Sequence, residues 1–339
     1  MAIQSRSMIK AFFENDKEGF ILVSTEKLNF IRDENYSKIP SRSSIFFLFK
    51  IIINLIKYRQ REFLITRQIG IAFLAVLFGY KVCFEAHNIP RSKISFILTK
   101  ILSKNRKFRL VANCKGTMNY YLNKFENLKI NKSIISLHNC SSTEKKISIS
   151  RKEIRSKLGI SRNKTLILHT GSLYKLSPKD FKRIDNIDGD FIFLHIGGNK
   201  AEINSLKNNM KAFKKVRFMS NIHHSEISSY QSAADALFYI LGENNETIEY
   251  TSPVKIFEYL STCKPIIYSY IGSIKEVLPN SDLSYGNDKE SMENAFSNYL
   301  NNKKYHQLFF KNLCKKFTQS TWTNRAKKIE DFLRNPESI

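Results

Sequence analysis

Short apolar runs alternate along the chain with longer stretches in which apolar positions recur every three or four residues. Phe20–Ser24, Phe63–Thr66, Lys81–Glu85, Leu110–Asn113 and Ile134–Leu137 read as strands, and the stretches between them as helices. The rhythm resumes with Thr165–Thr170, Phe191–Ile196, Val216–Met219, Ala236–Ile240 and Pro265–Ser269. Buried strands separated by helical segments are the signature of βαβ units and parallel sheets. Two such sets predict an α/β protein of two Rossmann-like, doubly wound domains. The polar segment Ser141–Arg162, with no long apolar run before Leu166, is the expected junction. The boundaries follow: a first domain over 1–150, a second over 151–310, and a closing segment over 311–339.

At 339 residues the length suits two domains, each able to bury its own core. With 42% apolar and 25% charged residues, neither a disordered chain nor a bundle of membrane spans is expected. Ser44–Tyr58 and Gly70–Phe84 are greasy, but both fall short of the ~18–20 apolar residues a spanning helix needs. They read first as buried core elements and second as a face lying on a membrane. No leader sequence is expected at the start. Five cysteines, Cys83, Cys114, Cys140, Cys263 and Cys314, are widely spaced with no C-x-x-C. Neither a disulfide framework nor a zinc site is expected from them.

Charge changes the picture more. Lys and Arg number 55 against 30 Asp and Glu, a net charge of +25. Such a chain attracts polyanions: nucleic acid, a lipid surface or a phosphorylated substrate. No helix-turn-helix, zinc finger or aromatic RNA-binding signature accompanies the charge, so nucleic acid is not the expected partner. Arg91–Arg109 interleaves basic and apolar residues, as a helix lying in a lipid interface would and as a solvated helix of a basic protein also could.

Candidate chemistry sits where strands end. Leu166–Gly171 is an apolar strand running into a glycine, followed by Ser172 and Lys175. A glycine lets backbone approach a phosphate and a lysine neutralises it, although a plain strand-to-helix turn would read the same way. Ser252 suits an N-cap and Pro253 a first helical residue. Val254, Phe257 and Leu260 would then face a core, leaving Lys255 and Glu258, three apart, on another face. A diphosphate on the helix start and ribose hydroxyls on the carboxylate would suit this element, and so would a simple surface ion pair. Asp188-Gly-Asp190 spells D-x-D, which an Asp-Gly turn explains without a metal. His138, His169 and His195 lie in or beside apolar strands and read as core or rim histidines, while the adjacent His223 and His224 do not by themselves make a metal site.

The second half resembles the donor domain of retaining glycosyltransferases of the GT-B fold, family 4. Leu166–Gly171, His195-Ile-Gly197-Gly198, Arg217-Phe-Met-Ser-Asn221, Tyr230-Gln-Ser-Ala-Ala-Asp235, Ser252–Leu260, Lys264-Pro-Ile-Ile and Ile271–Leu278 follow one another as that family's motifs do. Trp322 resembles its aromatic residue before a last helix that crosses back onto the first domain. Earlier, Glu85-Ala-His87 resembles the family's E-x-H, and Arg67 a strand-end arginine. Two departures stand out. Tyr250 occupies the position of the first of two paired acids, with Glu249 one residue away, and Ser172 stands where a phosphate arginine is usual. The family's first strand and glycine-rich loop have no counterpart at the start, so the first domain is expected to lack its first strand.

The resemblance implies two domains facing a cleft and metal-independent sugar transfer, of hexosyltransferase type, from a nucleotide-diphosphate sugar with retention. The acceptor would be a bacterial-type surface polysaccharide, such as lipopolysaccharide or capsule, or a lipid-diphosphate-linked glycan. His87 and Glu258 would be catalytic. Gly171, Ser172, Lys175, Ile222, Ser252, Pro253, Lys255 and Glu258 would bind the donor, and Arg67 and Glu85 would line the acceptor side. No cofactor is expected. Location would be cytoplasmic, peripheral on the inner face of the plasma membrane, with an anionic lipid surface as partner. The alternatives are a catalytically silent subunit of the same fold and a basic nucleic-acid-binding protein.

Overall fold

The computed structural model describes residues 8–12, 22–24, 36–38, 44–58, 63–141, 147–173, 176–208, 213–241, 248–286 and 288–335. The chain divides into two compact units. The first comprises Met1–Cys140, Glu249–Ser252 and Ser320–Ile339, and the second Ser141–Ile248 and Pro253–Gln319.

In the first unit, β1 (Leu22–Ser24) and β2 (Tyr36–Lys38) form a parallel pair of their own. β3 (Phe63–Thr66), β4 (Lys81–Ala86), β5 (Phe108–Ala112) and β6 (Ile134–Ser136) form a parallel sheet in the order β3-β4-β5-β6. Side chains alternate across a strand. Val82, Phe84 and Ala86 therefore pack on one face with Ile51, Leu55, Ala72, Ala75 and Leu102, from the helices Ser44–Lys57, Ile69–Leu77 and Lys93–Ser103. Cys83 and Val111 point the other way, onto Trp322, Ala326, Ile329 and Phe332 of the last helix, Trp322–Arg334. Glu85 has the same parity as Cys83, which aims its carboxylate at that helix.

The apolar stretch from Ser44 is core on one side only. Ile51 and Leu55 are buried, while Phe49, Ile53 and Ile56 are 61%, 46% and 57% exposed. No helix among the described residues is long and apolar enough to cross a membrane.

The second unit holds β7 (Thr165–Thr170), β8 (Phe191–Ile196), β9 (Val216–Met219), β10 (Ala236–Tyr239), β11 (Ile266–Ser269) and β12 (Ser284–Tyr285). They are all parallel, in the order β12-β11-β10-β7-β8-β9. The order reverses between β7 and β10, which makes this a doubly wound sheet whose switch point lies beyond the ends of those strands. Asp235 anchors the junction of the two halves: it accepts from the Leu166 amide (2.8 Å) and is paired with Arg151 and Arg155.

Two local expectations are corrected and a third is met. Cys263 and Cys314 are joined by a disulfide, against the reading that no bridge would form. The helix Val254–Leu260 brings Cys263 to the helix Lys303–Lys315, an approach invisible in spacing; Cys83, Cys114 and Cys140 are buried thiols. Ser252 is not an N-cap. Pro253 occupies that position without a side-chain bond, because the Ser252 hydroxyl accepts from the Asn139 amide instead (2.9 Å). The helix consequently begins at Val254, not at Pro253. Asp188-Gly-Asp190 is a turn, with Gly189 at φ +122° and Asp190 bonded to Lys164.

Candidate functional site

Two groups of residues carry the candidate chemistry, one in each unit. In the first unit a cavity of about 440 Å³ opens beyond the ends of β3 and β4, lined among others by Arg67, Glu85, His87, Asn88, Asn113 and Ser252. The sequence places Arg67, Glu85 and His87 in this neighbourhood, and the structure brings all three together.

Glu85 is 4% exposed and lies between two guanidiniums. Arg67 Nε donates to its Oε2 at 2.9 Å, and Arg325, from the last helix, pairs with Oε1. Burial alone would raise the carboxyl pKa, but Arg325 and Arg67 outweigh it and hold the group down to about 2. Glu85 is thus a permanently ionised strut at the cavity wall. His87 follows β4 in a loop held by its carbonyls. Asn113 Nδ2 donates to the His87 carbonyl and Tyr121 Oη to the Asn88 carbonyl, both at 3.1 Å. Burial, reinforced by Arg67 and only partly opposed by Glu85, lowers the His87 pKa to about 4. Its imidazole is neutral at pH 7 and its Nε2 has no protein partner.

Sequence reading missed what completes this cavity. Asn113 Nδ2 and Thr117 Oγ1 donate to the Tyr250 carbonyl at 3.1 and 3.2 Å. Gly116 lets the Glu249 carbonyl come so close that a Cβ there would sit 2.0 Å from it. Thr251 and Ser252 are thereby fixed in the wall. Arg325 binds the carbonyl of His138 through Nε at 3.1 Å, as well as Glu85. These pairings join residues more than a hundred positions apart. The only local signals were Gly116 and an arginine on the apolar face of an amphipathic helix.

In the second unit Gly171 ends β7 at the switch point. Its amide donates to the Ile196 carbonyl (3.0 Å), and Gly197, at φ +151°, packs so tightly that a Cβ would lie 1.7 Å from the Gly171 carbonyl. Ile222 lies in the loop after β9, where the Asn221 amide donates to the Gly198 carbonyl (2.9 Å). Beneath these turns the His169 and His195 rings are buried and share a bond between their Nδ1 atoms (2.9 Å), and burial lowers the His195 pKa to about 4. Both are core histidines, as their strand positions predict.

The helix Val254–Leu260 is tied to the β7 end by Tyr259. Its buried Oη accepts from the Thr170 amide at 2.9 Å and lies 3.1 Å from Thr170 Oγ1, one residue before Gly171. Ile256, Phe257, Tyr259 and Leu260 are buried, whereas Lys255 and Glu258 are 28% and 27% exposed and joined at 2.5 Å. So the expected proximity of the Gly171 turn and the Lys255–Glu258 helix is present, and in this structure the two charges bind each other. Part-exposed pairs of this kind are worth roughly 0–1 kcal/mol, so separating the two charges costs little. Ser172 follows the turn. Lys175 lies outside the described residues. Ser252 belongs to the first unit's cavity wall and Pro253 to the second unit, so the structure divides those two expected donor contacts. Among the described residues no group of three or more His, Cys, Asp or Glu side chains could hold a metal ion.

No model of a known protein family matches the chain, and comparison with curated proteins finds no match. Solved structures do match. Anabaena HepE (Alr3699), in complex with UDP and glucose, superposes with a TM-score of 0.74 at 10% identity over 96% of this chain and 95% of its own. A glycosyltransferase from Rickettsia africae gives 0.73 at 16% identity, covering 98% and 94%. WaaG, a glycosyltransferase involved in lipopolysaccharide biosynthesis, gives 0.65 at 11% identity, covering 98% and 95%. The chain therefore has the fold of the GT-B glycosyltransferases: two α/β units, each on a parallel sheet.

Proposed function

We propose that the protein is a glycosyltransferase that moves a sugar from a nucleotide-diphosphate donor, with UDP the favoured nucleotide, and retains the anomeric configuration. One observation carries the reading. At the switch point of a doubly wound sheet, Tyr259 docks a helix bearing a cation and a carboxylate against the turn at Gly171. UDP and glucose in the HepE complex support the donor class.

In this reading Lys255, with Lys175 and the amides beside Gly171, Ser172 and Pro253, meets the charge that grows on the leaving diphosphate. Preorganised charges aimed at such a group are worth several kcal/mol. Glu258 holds the ribose hydroxyls and Ile222 lies against the base. His87, neutral at working pH, orients an incoming hydroxyl in the first unit's cavity, with Arg67 as a wall cation. No metal or other cofactor takes part. The transferred sugar is a hexose, and the acceptor is a surface polysaccharide such as lipopolysaccharide or capsule, or a lipid-diphosphate-linked glycan. The protein works in the cytoplasm, at the anionic inner face of the plasma membrane.

A panel of nucleotide sugars read by mass spectrometry tests this. Turnover with one donor is expected, falling about 100-fold in Lys255→Ala and in Glu258→Ala, with melting temperatures unchanged. Near-normal turnover in both variants removes the site. A second reading, a silent subunit of this fold, is favoured by Tyr250 at the position of the first acid, its carbonyl bound to Asn113 and Thr117. Absence of transfer or hydrolysis with every donor would select it.

A further inference from the structure

Three neighbouring helices of the first unit carry a row of large apolar side chains that the core does not use. On Ser44–Lys57, Ile51 and Leu55 face inward, while Phe49, Ile53 and Ile56, spaced four and three apart, face out. On Lys93–Ser103 the outward row is Ile94, Ile97 and Ile101, which are 72%, 55% and 50% exposed. Leu77, 67% exposed, ends the helix between them, Ile69–Leu77, which contacts both. An outward apolar row on a helix that already buries an inward one is stable only where something other than water covers it. Seven such residues on adjacent helices also exceed the scattered exposure normal for a soluble surface.

Charge indicates the covering partner. Lys93 and Lys100 are exposed and run alongside the isoleucine row, each one residue before an isoleucine and hence about 100° from it around the helix, and exposed Lys104 caps the helix three residues after Ile101. Lys57 is exposed beside Ile56, and no acidic residue occurs in either helix. A second copy of a chain with net charge +25 would bring like charges together on such a face. An anionic bilayer instead takes the apolar rows into its acyl boundary and the lysines at its headgroups.

We propose that this three-helix face is the surface on which the protein docks into an anionic membrane, inserting Phe49, Ile53, Ile56, Leu77, Ile94, Ile97 and Ile101 and ringing them with lysine. The proposal deepens the membrane part of the function proposed above. It specifies insertion through three helices, where charge alone would give only loose electrostatic attachment.

Co-sedimentation of the full chain with vesicles of phosphatidylglycerol and phosphatidylcholine tests it without any need for activity, so it fails or stands independently of sugar transfer. Binding is expected to the mixed vesicles, weaker binding to phosphatidylcholine alone, and a fraction that persists at 0.5 M salt. The variant Ile94→Ser/Ile97→Ser/Ile101→Ser should lose the salt-resistant fraction. Lys93→Gln/Lys100→Gln/Lys104→Gln should weaken low-salt binding about fivefold per charge, roughly 100-fold in all. Melting of both variants, followed in parallel, should stay within a few degrees of the parent, because every altered side chain is exposed. No binding by the parent, or unchanged salt-resistant binding by the isoleucine variant, overturns the proposal. So would a parent that self-associates in solution through this face and dissociates in the isoleucine variant.

Discussion

Glu85 lies at the centre of the first unit's cavity wall, and removing its charge is the sharpest test of how that wall is held. In Glu85→Gln the shape is kept and the anion is lost. Arg325, whose side chain is 2% exposed, would then be a buried cation left with neutral partners, the His138 and Leu137 carbonyls and the Met8 sulfur. Removing one partner of a buried pair costs about 3–5 kcal/mol. The carboxyl pKa gives a second route to the magnitude. A drop from 4.5 to about 2 corresponds to about 3 kcal/mol of preference for the ionised form in the folded state. The sign follows: a depressed acid contributes stability in full above its unfolded pKa of 4.5, and that contribution is lost as pH falls toward 2. The penalty of Glu85→Gln should therefore be large at pH 7 and shrink steadily below pH 4.5.

The chain supplies its own reporter. Trp322 is its one tryptophan, 6% exposed, and starts the helix that carries Arg325. Its fluorescence in urea follows the first unit alone, which avoids treating a protein of two units as one transition. With a slope of roughly 2 kcal/mol per M, the midpoint should fall by about 1.5–2.5 M at pH 7. Glu85→Leu combined with Arg325→Met should recover most of that loss, since an apolar pair of similar volume often equals a buried ion pair. A midpoint shift below about 0.5 M, or one that is the same at pH 3 and pH 7, would show that the three side chains do not form the strut described.

Neutral His87 predicts that the pH profile of transfer between about pH 5.5 and 8 has no histidine limb. A limb near pH 6.5 that vanishes in His87→Asn would contradict the lowered pKa. The disulfide between Cys263 and Cys314 spans 51 residues. Reduction, or Cys263→Ser, should therefore destabilise the second unit by up to about 4 kcal/mol, read as a lower melting temperature; identical melting with and without reductant would refute it. Gly197→Ala places a Cβ against the Gly171 carbonyl at a positive φ, so it should cost roughly 2–4 kcal/mol and weaken UDP binding measured by calorimetry. Unchanged affinity would separate the Gly171 turn from the donor.

The sheets were legible because their strands appear as short apolar runs, continuous where both faces are buried, as in Thr165–Thr170 and Phe191–Ile196. Thr165–Thr170, Phe191–Ile196 and Val216–Met219 have the bounds that their hydrophobicity implies. β2, with the sequence Tyr-Ser-Lys, and the two-residue β12 carry no such run and could not be read. At the candidate sites, the residues following strand ends were readable, since ligands meet parallel sheets there: Arg67, His87, Gly171. The residues that hold them were not. Tyr259 looks like one more apolar helical position, yet its hydroxyl pins the β7 end. Ser252 has every local mark of a helix cap, and a tertiary partner, the Asn139 amide, claims its hydroxyl. Local propensity ranks what a residue could do, and a partner far along the chain decides between those options.

Arg325 shows how far that dependence reaches. It stands 240 residues from Glu85, on a helix whose other buried residues, Ala326, Ile329 and Phe332, cover the face of the first sheet that Cys83 and Val111 present. A fragment ending near residue 140 would keep all four strands of that sheet, but it would bare this face and leave Glu85 with Arg67 as its only cation. It would also lose Glu249–Ser252, whose Tyr250 carbonyl accepts from Asn113 and Thr117 and whose serine closes the cavity. The catalytic candidates of the first unit thus lie in its first hundred residues, while their electrostatic and hydrogen-bonding support is supplied by the middle and the end of the chain. The cavity can therefore take its shape only once segments from the start, the middle and the last helix of the chain have come together.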